Sequence, residues 1–311
     1  MNALTIEQLK KSYNEKDVLR GVQLTVNEGE LFGFVGRNGA GKSTLIHILT
    51  GIVHKSSGQF QVFNHNDQDM TAIKRSVGVM PDAANMFPHL RAIEFLAHMA
   101  RLKKATTDKS SLLSLLASVG LQGEERKKIA SFSFGMKKKL SLAQALLGEP
   151  KLLFLDEPTS GLDPESSREI QQLIVKLKEN GQTVFLTSHN LNEIERICDR
   201  MAILHDGRIE RVGTLAQLQE QARNRVKVTV SYNAQFELNE QWLHEHLPAF
   251  QVSELQPSTL TLDTDSTDNI PEMVKAFVYA GIEVHAVRPE TLSLEDIFFQ
   301  SSPSERADNS L

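Results

Sequence analysis

The stretch that most constrains the fold runs from Gly36 to Thr44 and reads G-R-N-G-A-G-K-S-T. It matches the phosphate-loop pattern G-x-x-x-x-G-K-[ST], which carries a mechanism only in the right surroundings. Just before it, Leu31 to Val35 is a nearly continuous apolar run, as expected of a strand buried on both faces. Just after it, Leu45, Ile46, Ile48 and Leu49 keep a helical period, and Gly51 is placed to stop the helix. Strand, glycine-rich turn and helix predict an α/β sheet. Gly36, Gly39 and Gly41 let the backbone curl so that N–H groups converge on phosphate oxygens. The helix N-terminus adds a fixed partial positive charge. Lys42 can reach the β- and γ-phosphates, and the Ser43 hydroxyl can ligate Mg²⁺.

Two later strands deliver polar groups to the same sheet edge. Leu152 to Leu155 is apolar and ends in Asp156-Glu157. Ligands of open α/β sheets sit at the carboxyl ends of the strands. Asp156 suits Mg²⁺ held through water, and Glu157 can orient or deprotonate an attacking water; alternatively the pair only caps the turn that follows. Thr183 to Thr187 is a β-branched and aromatic run ending in Ser188-His189. His189 is either an exposed loop residue or, on that edge, a γ-phosphate contact. Between these strands, Asp163-Pro164 reads as a helix start, with Asp as N-cap and Pro at the first helical position. Ile170, Leu173, Ile174 and Leu177 carry that helix towards Gly181.

The rest of the first 221 residues fits around this frame. Leu4–Leu9 and Val22–Val26 alternate as strands, and Tyr13 reads as a loop aromatic in the polar stretch Lys11–Asp17. Phe60–Phe63 and Ser76–Met80 are short strands, the second ending at Pro81-Asp82. Asn85 to Ile129 is a helical insertion, with apolar periods at Ala92, Phe95, Leu96 and Met99 and at Leu112 to Val119. A helix is predicted over Lys137–Leu147, with the lysines Lys137 to Lys139 as a solvated face. Met201–Leu204 and Arg208–Val212 read as a hairpin turned at Asp206-Gly207.

Beyond residue 222 the pattern is strand (Val226–Tyr232), helix (Phe236–His246), two strands (Phe250–Leu255, Thr259–Asp263), helix (Pro271–Ala280) and strand (Gly281–Val287). That order suggests a small α+β ferredoxin-like domain over 222–300. Thr291–Gln300 is expected as a final apolar-faced helix, and 301–311 as a disordered polar tail.

Charge and composition exclude other classes. The net charge of −5 and pI of about 6.1 give no footprint for nucleic acid. The one cysteine, Cys198, leaves no internal disulfide and reads as packing. Met1 to Lys11 lacks a signal-peptide core, and no run approaches the ~18 apolar residues of a membrane span.

Taken together, the motifs from about Ala3 to Leu218 resemble the ATP-binding subunits of ATP-binding-cassette (ABC) transporters. The resemblance rests on six features in order: Tyr13, the loop Gly36–Thr44, Phe132-Ser-Phe-Gly-Met136 at the signature position, Leu152–Glu157, the D-loop Ser160-Gly-Leu-Asp163, and His189. It implies a P-loop NTPase cassette over 1–221, with a RecA-like core, an N-terminal β subdomain and a helical subdomain at about 85–150. It implies Mg²⁺-ATP hydrolysis with Glu157 and His189 catalytic. Tyr13, Gly36, Asn38, Gly39, Gly41, Lys42, Ser43 and Thr44 would bind ATP, as would Ser133 and Gly135 of the signature. Ser43, Asp156 and Asp82 would serve the metal.

The implied partners are an integral-membrane permease and a second copy of the chain, or a paralogous ATPase, in a head-to-tail dimer. The implied place is cytoplasmic, peripheral on the cytoplasmic face of the membrane, and the implied direction is export. Two positions depart from the family pattern. Asp82 stands where glutamine is usual, and Phe134 stands where the first signature glycine is expected, facing a neighbour's nucleotide. These departures keep open a mainly regulatory, low-turnover role, and a cassette ATPase outside transport is the other alternative.

Overall fold

The computed structural model of this 311-residue chain describes residues 1–14, 16–80, 86–222, 226–234 and 238–290. The chain divides into two compact units, Met1–Thr214 and the part from Leu215 onward. The division falls upstream of the expected 221/222 boundary, so the helix Leu215–Ala222 goes with the second unit.

The first unit contains the strands β1 (Asn2–Tyr13), β2 (Lys16–Asn27) and β3 (Leu31–Gly36), then helix α1 (Lys42–Leu49). Strands β4 (Ser57–Val62) and β5 (His65–Asn66), helix α2 (Met70–Ser76) and strand β6 (Val77–Met80) follow. Next come helices α3 (Ala92–Lys103), α4 (Lys109–Ser118) and α5 (Phe134–Leu146), strand β7 (Leu152–Asp156) and helix α6 (Pro164–Glu179). Strand β8 (Thr183–Ser188), helix α7 (Leu191–Ile197) and the hairpin β9 (Arg200–His205) and β10 (Arg208–Gly213) complete it.

Its larger sheet has the order β10-β9-β3-β8-β7-β6. All neighbours are parallel except the β9–β10 hairpin at one edge. That hairpin turns at Asp206 and Gly207, which both have positive φ (47° and 74°), as a two-residue primed turn requires. Strands β3 and β8 are buried at every residue, which explains their continuous apolar runs. Phe185 of β8 is the hub, with ring centroids 5.8 Å from Phe32, 5.4 Å from Phe34 and 5.6 Å from Phe154. Burying each such ring contributes on the order of 1.5–3 kcal/mol.

The smaller antiparallel sheet, β2-β1-β4-β5, shares this core through Leu4, Ile6, Leu24 and Phe60, packed in one cluster with Leu45 and Ile46 of α1. Strand β1 is twice the expected length. Its inward face runs Leu4, Ile6 and then Leu9, because a bulge at Gln8 (φ 48°) shifts the register by one. Helix α2 has no clear apolar period, and Ile73 is its one buried residue. Helix α5 starts three residues sooner than the expected Lys137, at Phe134, because Ser133 caps it: Ser133 Oγ accepts from Met136 N at 3.2 Å.

The second unit holds α8 (Leu215–Ala222), β11 (Val226–Asn233), α9 (Glu240–His246), β12 (Phe250–Gln256), β13 (Thr259–Thr264), α10 (Ile270–Tyr279) and β14 (Glu283–Glu290). The sheet order β12-β13-β11-β14, antiparallel throughout, is the ferredoxin-like split βαβ arrangement. Val226, Val228, Val230 and Tyr232 alternate inward onto Met273 and Phe277 of α10 and Leu243 of α9. Helix α9 begins at Glu240, later than Phe236, because Asn239 caps it, its side chain accepting from Trp242 N at 2.9 Å. The expected helix Thr291–Gln300 and the tail lie outside the described residues. Among the described residues no helix is long and apolar enough to cross a membrane.

Candidate functional site

Parallel strands β3, β7 and β8 lie side by side, and their register brings three strand ends to one place. Val35 pairs with Ser188, and Asp156 pairs with Thr187. A cavity of about 440 Å³ opens there, lined by Val18, Asn38, Gly39, Gly41, Lys42, Ser43, Thr44, Asp156, Glu157, Ser160 and His189.

The loop after β3 is held open by glycine. Gly41, the N-cap of α1, has φ 112°, and a Cβ there would lie 2.8 Å from Leu19 Cδ2. An L side chain is therefore strained by the backbone conformation and crowded by Leu19 and the Val18 carbonyl. Gly41 brings no capping side chain to the first-turn N–H groups of α1, which lack intrahelical partners, and the first-turn residues Lys42, Ser43 and Thr44 line the cavity. No acidic residue sits in that turn to offset its positive end. The Lys42 ammonium is buried, donating to Gly36 O at 2.7 Å and Arg37 O at 3.3 Å.

Glu157 is the centre of the site. Its Oε1 lies 3.1 Å from Lys42 Nζ, and its Oε2 lies 2.6 Å from His189 Nδ1. The carboxylate keeps 22 % of its side chain exposed, enough for a small molecule to reach it. The backbone of Glu157 is left-handed, with φ 49°, a conformation that costs a non-glycine residue roughly 1 kcal/mol or more. Thr187 organises the pair of acids: its Oγ1 donates to Asp156 Oδ1 at 2.7 Å and accepts from Glu157 N at 3.0 Å. Sequence reading passed over Thr187, although its place one residue before the end of β8, opposite Asp156, was the available signal.

Behind His189, Glu193 of α7 ties the neighbouring loops together. It accepts from Thr159 Oγ1 at 2.6 Å, Ser167 Oγ at 3.0 Å and Ser188 Oγ at 3.4 Å. Asp163 caps α6, and hydrogen bonds from the Ser166 N–H, the Ser166 hydroxyl and the Glu165 N–H hold its carboxyl below the usual range.

Not every expected site residue lines this cavity. Gly36 ends β3 and contributes its carbonyl to Lys42, but it does not line the cavity. Tyr13 stands at the β1–β2 hairpin end, outside the lining, with Lys11 Nζ 4.6 Å from its ring centroid. Ser133 and Gly135 are also outside the lining, at the start of α5, where Gly135 is packed against Ser166 of α6. Asp82 lies outside the described residues.

Phe134 is 43 % exposed, and its ring lies against Gly161 of the same chain's D-loop. The lysine run is not uniformly solvated, contrary to its sequence reading. Lys138 is only 1 % exposed and donates to Glu157 O at 3.0 Å, while Lys139 pairs with Glu169 at 2.8 Å. Helix α5 packs its Lys138 face inward, and a charge run cannot announce that.

The cavity suits a nucleoside triphosphate with its metal. The open glycine loop, helix N-terminus and Lys42 ammonium are anion donors, whereas Asp156 and the Ser43 hydroxyl are oxygen ligands of the kind Mg²⁺ takes.

Comparison with known proteins agrees with this geometry. The family described as ABC transporter matches residues 19–160. The chain is similar to the uncharacterized ABC transporter ATP-binding protein YdbJ of Bacillus subtilis, at 34 % identity over 96 % of this chain and 95 % of that protein. It is also similar to a fluoroquinolones export ATP-binding protein of Mycobacterium tuberculosis, at 38 % identity over 69 % of this chain and 70 % of that one. Among solved structures, the dimeric structure of MJ0796, a bacterial ABC transporter cassette, matches with a TM-score of 0.62 and 28 % identity, over 68 % of this chain and 98 % of that one.

Proposed function

The chain belongs to the ATP-binding proteins of ABC transporters, which are ATPases, and from that premise we propose that it powers an exporter through a separate integral-membrane permease. The observation that carries this reading is the placement of the Glu157 carboxylate between Lys42 and His189, in the cavity lined by the glycine loop.

The loop N–H groups, the α1 N-terminus and Lys42 bind the phosphates of ATP. Ser43 and Asp156 are the residues that would hold Mg²⁺, which neutralises charge on the phosphate oxygens when bound. Glu157 orients the attacking water and accepts its proton, while His189 holds that carboxylate and contacts the γ-phosphate. Asn38 and Thr44 complete the phosphate cradle, and Tyr13 offers an aromatic face for the base.

Ser133 and Gly135 sit outside the cavity of their own chain. They are proposed to close the site of a second copy, or of a paralogous ATPase, in a head-to-tail dimer glued by ATP. MJ0796 is a dimeric precedent for such a cassette. Hydrolysis weakens the glue, and dimer opening and closing alternates the permease's access. The chain would then work on the cytoplasmic face of the membrane. The relative named for fluoroquinolones export supports the direction.

The test is affinity isolation of the tagged chain from its native membrane, followed by identification of what co-purifies. A polytopic membrane protein that stays with the chain through detergent extraction is expected. Recovery of the chain alone, under every nucleotide condition, contradicts the transporter assignment.

A further inference from the structure

We propose that Lys138 is a positioning residue for Glu157, fixing the backbone from which the carboxylate reaches the reacting water. The inference deepens the reading above and rests on Glu157 acting in hydrolysis.

Lys138 lies on α5, far in sequence from the phosphate loop, and is one of the largest fully buried side chains of the chain. A buried ammonium is retained only where hydrogen bonds and nearby polar groups compensate its lost hydration. Here its Nζ donates to the carbonyl of Glu157 at 3.0 Å. The same carbonyl also accepts from Ser160 N at 3.2 Å, and the Glu157 N–H is held by Thr187 Oγ1 at 3.0 Å. Both backbone polar groups of Glu157 are thus fixed by side chains of other elements. This matters because the residue is left-handed (φ 49°), a conformation that persists only where its surroundings impose it. Relaxing it would swing the carboxylate away from Lys42 and His189.

A second contact ties the same helix turn to the same loop. Phe134 precedes Lys138 by four residues, so the two share a face of α5. The Phe134 ring lies on Gly161, and Lys138 Nζ sits 5.6 Å from its centroid, within cation–π reach. The segment that begins at Ser133 therefore carries, one turn on, the group that holds this chain's own carboxylate.

The experiment compares ATP hydrolysis by the full chain and by Lys138→Met, Lys138→Gln and Lys138→Arg, with Glu157→Gln in parallel. Nucleotide affinity and thermal midpoint are measured for each. Displacing a reacting group by about an ångström can cost ~10²-fold, so Lys138→Met is expected to lower kcat by about 10- to 100-fold. KM for ATP should stay within about twofold, because the phosphate cradle is untouched. Lys138→Arg, which keeps a cationic donor, should recover most of the loss. Lys138→Gln keeps a neutral donor on a shorter stem, so it carries the same kcat-only test should the methionine variant not fold.

An unchanged kcat in both Met and Gln variants overturns the proposal. So does a parallel fall of kcat, affinity and thermal midpoint without rescue by arginine, which is what a merely structural lysine would give. If Glu157→Gln keeps full activity while Lys138→Met loses it, the reading of Glu157 falls and this proposal with it. If Glu157→Gln is inactive and Lys138→Met is not slowed, only this proposal falls.

Discussion

His189 Nδ1 lies 2.6 Å from Glu157 Oε2, joining the end of β8 to the end of β7 across the mouth of the cavity. The contact holds one carboxylate oxygen while Lys42 approaches the other at 3.1 Å. Removing the imidazole leaves the loop and its phosphate donors intact. His189→Ala should therefore lower kcat by about 10²–10³-fold. Its affinity for a fluorescent ATP analogue should hold within a few-fold. Steady-state kinetics and a direct binding titration check both halves.

At Gly78, strand β6 packs directly against α5. A Cβ there would lie 2.0 Å from the backbone carbonyl of Ala145 on α5, and 2.8 Å from Leu153 and Pro150 side-chain atoms. Backbone cannot yield as a flexible side chain can. Gly78→Ala should destabilise the protein by about 2–3 kcal/mol, at the upper end of ordinary overpacking. Denaturant unfolding of the two proteins under the same conditions measures this directly.

Cys198 is predicted to be inert. Its Sγ is turned onto Gly33 of β3, whose Cβ position would lie 3.0 Å away. The residue is half-buried, but its thiol faces the interior, and desolvation there, reinforced by the charges of Asp199 and Glu30, pushes the thiol pKa well above its ordinary value. The thiolate is the reactive form, so it is scarce across the whole range in which the protein is handled. A maleimide at pH 8 should leave the native chain unmodified and label it fully after denaturation. Rapid labelling of the native chain would show that the thiol is accessible.

How much of this was readable in advance depends on where the determining contacts lie. The runs Leu31–Val35, Leu152–Leu155 and Thr183–Thr187 announce central strands because both of their faces are covered. The polar residues at their ends, with the glycine loop, then define the site from local pattern alone. The bulge at Gln8, which turns Leu9 inward, depends on pairing with two other strands and leaves no local mark. Helix α2 is too short, with one buried residue, to impose a period.

Lys138 is the instructive case. Three consecutive lysines look solvated, yet helical geometry points the middle one at Glu157 O. Phe134, expected to face a neighbour, stays 43 % exposed, and within its own chain its ring also rests on Gly161. In each case the partner is distant in sequence and only the fold brings it near.

The central claim is that Glu157 serves hydrolysis of the ATP held by the loop of Gly36 to Thr44. The most direct measurement is the steady-state ATPase rate of Glu157→Gln, taken with its molecular mass in solution in the presence of Mg²⁺-ATP. The substitution keeps the shape of the side chain and removes its charge. The expected result is a rate lowered by about 10²–10³-fold, with ATP-bound dimers accumulating because the nucleotide is no longer consumed. A Glu157→Gln protein that hydrolyses ATP at the wild-type rate and remains monomeric would contradict it.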